Sequence, residues 1–321
     1  MILVTGGSGL SGSYVIRELQ GRGHAVRVLA RAASADKMSL AGVEIAIGDL
    51  IDPDSLRRAC QGVDGIVHTA CTFTDSRIDI AAMQALLDGW RDGPFVYFSS
   101  LDVYGYAATP LITEDEPLNE SHNDYARGKV FSERLLVEAA RRQGRTDISI
   151  LRAPHIWAPH PTAYRRLVGL LGDRDTVVLP GADETAWSQY RDAWIDARDL
   201  AWIVAECLER PIGGPVNVLA GQFVWHDLYT EIIRLTGRDC RIVHRSLNQM
   251  SEAEQRRCAF LAQSWRYDDR KLRNTLGFQP SRTWQQTLAE TLDAGASGGL
   301  SATPKPAQPY RIRRADLSVS R

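Results

Sequence analysis

Residues 2 to 12 read Ile2-Leu3-Val4-Thr5-Gly6-Gly7-Ser8-Gly9-Leu10-Ser11-Gly12, and their surroundings decide the fold. Ile2 to Val4 is a short apolar strand, and Tyr14, Val15, Ile16 and Leu19 recur at helical spacing until Gly21 or Gly23 stops the helix. A second strand follows from Ala25 to Leu29. In that context Gly6-x-x-Gly9-x-x-Gly12 has a physical logic, since small residues permit a tight turn, close approach of a pyrophosphate and close packing of helix on strand. The helix then aims its unpaired N–H groups at the phosphates. Gly6, Gly9, Leu10, Ser11 and Gly12 are the candidate dinucleotide contacts.

Working outward, the alternation continues through a strand at Val43 to Ile47, a helix at Ser55 to Cys60 and a strand at Gly65 to Thr69. A modest helix fits Ala81 to Trp90, a strand Phe95 to Phe98, a long helix Tyr125 to Arg142 and a sixth strand Ile148 to Leu151. Beyond Pro154 helices and short strands mix. The expected fold is α/β: a Rossmann-type parallel sheet flanked by helices, with a smaller mixed α/β C-terminal lobe. Residues 1–155 are assigned mainly to dinucleotide binding and 156–293 mainly to a substrate lobe, with segments interleaved into the first unit. Residues 294–321, rich in Gly, Ser, Ala, Thr and Pro before a basic stretch, are expected to form a flexible tail.

Composition narrows the function. Lys and Arg total 38 against 39 Asp and Glu, a net charge of −1, which argues against a nucleic-acid partner. The cysteines, 5 in number and widely spaced, fit a reducing compartment better than a disulfide framework. No signal-peptide pattern opens the chain and no apolar run is long enough for a membrane span, so a cytoplasmic protein is expected. No histidine spacing suggests a metal site.

The second strand ends Leu29-Ala30-Arg31, with a cation where an NAD-selective fold usually carries an acid for the ribose hydroxyls. Arg31, with Lys37 in support, favours NADP over NAD as cofactor. Asp49 and Leu50, after the third strand, would sit beside the adenine; the plainer role for Asp49 is a turn or cap, for which Asp52 is better placed.

Tyr125-x-x-x-Lys129 puts a phenol and an ammonium on one helix face. The ammonium lowers the cost of the phenolate, so Tyr125 can exchange a proton with a carbinol oxygen while hydride moves, and Lys129 can also hold the nicotinamide ribose. Ser100, ending the fifth strand, can bond the same oxygen; Ser99 takes that role if the register differs by one.

Thr5-Gly6-x-x-Gly9-x-x-Gly12, Gly48-Asp49-Leu50, His68-Thr69-Ala70, Ser99-Ser100-x-x-Val103-Tyr104-Gly105, Tyr125-x-x-x-Lys129 and Leu151-Arg152 together resemble the extended short-chain dehydrogenases/reductases, the NAD(P)-dependent epimerase/dehydratase family. Arg191-Asp192-x-Trp194 and the segment from Tyr267 to Pro280 resemble its later signatures. The resemblance implies a catalytic triad of Ser100, Tyr125 and Lys129, further cofactor contacts at Thr69, Ala70 and Pro154, and a homodimer built through a four-helix bundle. It also implies substrates among small-molecule ketones, alcohols and nucleotide sugars.

Departures from the pattern shape the rest. Leu101 stands where the sugar dehydratases carry the first of an Asp-Glu pair, so water elimination by that pair is not expected; Asp102 can still tune the site. His155 replaces a frequent amide or small residue and can contact substrate, as can Trp157, and Arg191 matches the position of a diphosphate-binding arginine. The leading expectation is an NADP-dependent oxidoreductase that reduces a small-molecule ketone to a secondary alcohol, or the reverse. The alternatives are a nucleotide-sugar epimerase using NAD(P) and a non-catalytic NADP-sensing protein.

Overall fold

The computed structural model describes residues 1–35 and 42–297, so Lys37 and the segment from 298 onward lie outside the described residues. The first half alternates strictly: β1 (Ile2–Thr5), α1 (Leu10–Gly21), β2 (Val26–Ala30), α2 (Ala32–Ala35), β3 (Val43–Ile47), α3 (Pro53–Ala59), β4 (Gly65–His68), α4 (Ser76–Gly89), β5 (Phe95–Ser100), α5 (Asp124–Arg142) and β6 (Ile148–Ala153). There follow β7 (His155–Trp157), α6 (Pro161–Leu171), β8 (Thr176–Pro180), α7 (Glu184–Trp187), β9 (Arg191–Asp196) and α8 (Ala197–Glu209). The chain continues through β10 (Gly214–Asn217), β11 (Gly221–Val224), α9 (Trp225–Thr236), β12 (Arg241–Arg245), α10 (Glu252–Cys258), α11 (Arg270–Leu276) and α12 (Trp284–Ser297).

Seven parallel strands form the main sheet in the order β10-β6-β5-β4-β1-β2-β3. The order reverses between β1 and β4, where a crevice opens beyond the strands' carboxyl ends. One face buries Val15, Ile16 and Leu19 of α1 with Ile203 and Val204 of α8; the other buries Leu56, Met83, Leu86 and Leu136 from α3, α4 and α5. A strand buried on both faces is mostly apolar, as β1 and β4 are up to their last residues, Thr5 and His68, whose polar groups pair with each other. The smaller lobe holds a three-stranded sheet, β11-β9-β7, and the pair β12-β8, covered by α6, α9 and α12 around Trp157, Trp194, Phe223 and Trp225. The mixed lobe of the sequence reading is therefore present, and β10 returns from it to the main sheet beside β6.

Two element boundaries differ from the periodicity. Helix α4 starts at Ser76, capped by Asp75, rather than near Ala81. Its first turn turns polar side chains inward, with Ser76 bonded to Asp124 and Asp79 to Thr72, so no apolar stripe marks it. Helix α12 runs to Ser297, past the expected start of the tail at 294.

Candidate active site

The glycine loop joins β1 to α1. Gly6 takes φ +75°, and a Cβ on Gly12 would lie 2.3 Å from the Gly6 carbonyl oxygen, so neither position admits a side chain. Gly9 N–H donates to Gly6 O at 2.9 Å, closing the turn. The loop rims a cleft of about 750 Å³ whose walls include Gly6, Gly9, Leu10, Ser11, Gly12, Arg31, Asp49, Leu50, Thr69, Ala70 and Pro154, all proposed above as cofactor contacts. An open glycine cradle at a helix N-terminus, continuous with a long cleft, fits a dinucleotide.

Behind the loop the strand ends are locked together. Thr69 Oγ1 donates to Thr5 O at 2.8 Å, and Thr5 Oγ1 lies 2.7 Å from His68 Nδ1. Burial, with Lys129 nearby, drives the His68 pKa down to about 3, so this ring is a neutral structural partner. Asp49 accepts from Ile51 N–H at 3.3 Å, while Asp52 caps α3 through Asp54 and Ser55 N–H, as the sequence suggests.

Ser100, Tyr125 and Lys129 all line the same cleft. Asn123 caps α5 by accepting from Ala126 N–H at 2.7 Å, which sets Tyr125 in the first turn and Lys129 one turn later. Lys129 Nζ is buried, donates to Phe98 O at 2.6 Å and stands 5.5 Å from the Tyr125 ring centroid. Burial raises the Tyr125 pKa, and Lys129 and the Ser100 hydroxyl offset only part of that rise. The phenol thus holds its proton in this state.

The two serines at the end of β5 have different partners. Both border the cleft, but Ser99 Oγ donates to the buried carboxylate of Glu133, which pairs with Arg152 at 2.8 Å, whereas Ser100 Oγ accepts from Asp102 N–H at 3.2 Å. Successive strand residues face opposite ways, and the Ser99 hydroxyl is already engaged by Glu133, which leaves Ser100 the freer of the two for a ligand.

The proposed substrate contacts divide. His155 and Trp157 line the cleft, Trp157 stacking on Trp194 at 5.7 Å. Arg191 is not among the lining residues: its guanidinium donates to the carbonyls of Ser188 and Gln189. Asp102 also lies off the cleft wall, partly buried, and desolvation raises its pKa. Three contributors were not read from the sequence. Asp192, next to Arg191, points the other way on β9 and meets His155 at 2.9 Å. Phe73 stacks on Tyr125, and Arg166 of α6 stands 5.6 Å from the Phe73 ring. Strand alternation across the quoted Arg191-Asp192 pair is the signal that finds Asp192; Phe73 sits in a segment with no pattern of its own, and the helical pattern around Arg166 carries no sign that this face meets the cleft.

A parallel sheet with a glycine cradle at its switch point and a tyrosine–lysine helix turn at the next strand end defines a nicotinamide-dinucleotide enzyme of the extended short-chain dehydrogenase/reductase class. The chain belongs to the NAD dependent epimerase/dehydratase family, whose model matches residues 2–218. It is 27% identical to a decarboxylating sterol-4-alpha-carboxylate 3-dehydrogenase of Dictyostelium discoideum over 53% of this chain and 57% of that one. It is 29% identical to a UDP-glucose 4-epimerase of Neisseria meningitidis over 47% of this chain and 51% of that one. The chain thus spans about half the length of these curated relatives. Its fold matches a UDP-glucose 4-epimerase of Thermus thermophilus in complex with NAD, with TM-score 0.72 and 20% identity over 92% of this chain and 98% of that one.

The NADP expectation is corrected here. That structure and others of the same fold hold NAD, and Arg31, which prompted the NADP reading, is an exposed residue at the cleft rim with Lys37 outside the described residues. A cation after β2 is permissive for a 2′-phosphate and does not require one. Among the described residues no helix is long and apolar enough to cross a membrane, and no group of His, Cys, Asp and Glu side chains could hold a metal ion.

Proposed function

We propose that this chain is an NAD-dependent enzyme that oxidises a secondary carbinol of a nucleotide sugar and returns the hydride, as an epimerase does. The observation that carries it is the convergence of Tyr125, Ser100 and Lys129 on one wall of the cleft that begins at the glycine loop. Tyr125 exchanges the proton of the carbinol oxygen, Ser100 hydrogen-bonds that oxygen, and Lys129 steadies the phenolate and the ribose side of the cofactor. NAD, bound along Gly6 to Gly12, supplies the hydride acceptor. Arg166, a cation in the cleft wall, suits a diphosphate, and the likeness to UDP-glucose 4-epimerases supports this substrate class.

A second reading, net oxidation of a hydrophobic secondary alcohol, is favoured by the apolar wall of Trp157, Leu167, Trp225, Leu228 and Phe260 and by the sterol dehydrogenase relative. We also propose a homodimer through α4 and α5, supported by Phe131 and Val137 exposed on α5.

Denaturing freshly purified protein and identifying the released dinucleotide by mass spectrometry tests the cofactor, and interconversion of UDP-glucose and UDP-galactose tests the reaction. Near-stoichiometric NAD⁺ with interconversion supports the epimerase. An empty protein that reduces added NAD⁺ only with hydrophobic alcohols selects the second reading.

A further inference from the structure

His155 opens β7 and lines the cleft, yet it has no part in the Ser100, Tyr125 and Lys129 set. Its Nε2 lies 2.9 Å from Asp192 Oδ2. Asp192 is buried on β9, and its other oxygen accepts from Ala193 N–H at 2.7 Å. A carboxylate oxygen accepts, so the ring proton sits on Nε2 and the lone pair on Nδ1. Nδ1 has no hydrogen-bond partner among the described residues, and the side chain keeps 41% of its surface open. Trp225, edge-on at 5.6 Å, and Phe223, at 6.0 Å, hold the ring in place. A ring oriented by a buried carboxylate, with its second nitrogen open on a substrate cleft, has the arrangement of a general base.

We propose that His155, oriented by Asp192, is a second acid–base centre that removes and returns a proton on the carbon next to a bound carbonyl, giving the protein a ketone-enolising activity separate from hydride transfer. This rests on the reading above that Ser100 and Tyr125 hold the carbonyl oxygen. Nδ1 takes the α hydrogen; the C–H pair becomes the C=C bond, and the carbonyl π pair moves to oxygen, where the two hydroxyls stabilise it. Return of the proton from Nδ1 to the same carbon restores the ketone. The step is redox-neutral and needs no co-reactant. Because the imidazole is open to solvent, its proton exchanges with water and the α position acquires solvent label. Asp192 is a positioning residue.

Charged groups act on this ring from three elements. Burial pulls it toward the neutral form, Asp192 on β9 outweighs that with help from Asp102, and Arg166 on α6 opposes them. The net effect raises the His155 pKa above the ordinary imidazole value. The base is loaded with a proton at mildly acidic pH and frees its lone pair as pH rises, so exchange increases with pH.

The test incubates the full-length protein in D₂O with dTDP-4-keto-6-deoxyglucose and, separately, cyclohexanone, and follows α-deuteration by mass spectrometry beside NADH oxidation on the same ketones. Exchange above the buffer rate is expected, and His155→Gln should lower it by about 100-fold or more while hydride transfer falls less than about tenfold. Asp192→Asn should move the midpoint of the exchange–pH profile downward by removing the carboxylate. Equal exchange in wild-type protein and His155→Gln overturns the proposal. Hydride transfer without exchange also overturns it and leaves the oxidoreductase reading standing; exchange without hydride transfer does the reverse, and absence of both overturns both.

Discussion

The Phe73 ring lies stacked on the Tyr125 ring, centroids 5.4 Å apart and planes 13° from parallel. Phe73 reaches this position only through a left-handed backbone, φ 61°, unique among non-glycine residues described. The segment around it is pinned: Thr72 N–H and Oγ1 both donate to the Asp79 carboxylate, at 2.8 and 3.0 Å. A strained residue held by its neighbours beside a reacting group points to function rather than stability.

Phe73→Gly should therefore separate the two. Relief of the left-handed strain offsets the loss of a ring that is 51% exposed, so the unfolding free energy should change by less than about 1 kcal/mol. KM should rise several-fold because the cleft loses the wall over Tyr125. Chemical denaturation and steady-state kinetics on the same preparation check both; a large stability loss with unchanged KM would make Phe73 structural.

Tyr125→Phe keeps the ring stack and removes the proton donor. Turnover should fall by about 10²- to 10⁴-fold, with NAD affinity by calorimetry within a few-fold of wild type. Comparable loss of cofactor binding would mean the phenol holds the cofactor instead of transferring a proton.

Arg152 and Glu133 are each only 4% exposed and pair at 2.8 Å. Arg152 also donates to Tyr104 Oη and Glu114 O. Glu133→Ala leaves a buried guanidinium without its counter-charge, and a loss of about 3–5 kcal/mol in urea denaturation is expected. A loss below about 1 kcal/mol would show that water enters the site and screens the pair.

His68 makes stability depend on pH. Its folded pKa is depressed to about 3, from an ordinary value near 6.5, so the unfolded chain binds the proton first. The contribution is complete above about pH 6.5 and is lost as pH falls toward 3, at up to about 1.4 kcal/mol per pH unit for one proton. The pH dependence of the denaturation midpoint in His68→Asn should be shallower across this window; an identical slope would assign the acid sensitivity to other groups.

The sheet and the core of the site are legible in the sequence because each rests on local geometry. Gly6, Gly9 and Gly12 are forced by backbone approach, and Tyr125 and Lys129 by one turn of helix. Arg191 misleads for an equally local reason: its motif position is right for the strand, but its side chain turns to the Ser188 and Gln189 carbonyls, and pleating sends the buried Asp192 to His155 instead. Phe73 and Arg166 come from a loop and from α6, and what joins them is the packing of two lobes, which no single-segment pattern encodes. Arg31 shows the limit of reading a cofactor from one charge: an exposed guanidinium at a rim leaves room for NAD.

The serine pair at the end of β5 ties chemistry to cooperativity. Ser99 bonds the buried Glu133 carboxylate, while Ser100 accepts from the Asp102 N–H and keeps its hydroxyl proton for a ligand in the cleft. A slip of the strand by one residue would exchange the hydroxyls, strand the carboxylate and withdraw the reactive oxygen together. The reaction centre therefore has no soft local mode of failure at this point, and heat should extinguish activity and melt the main sheet in a single event.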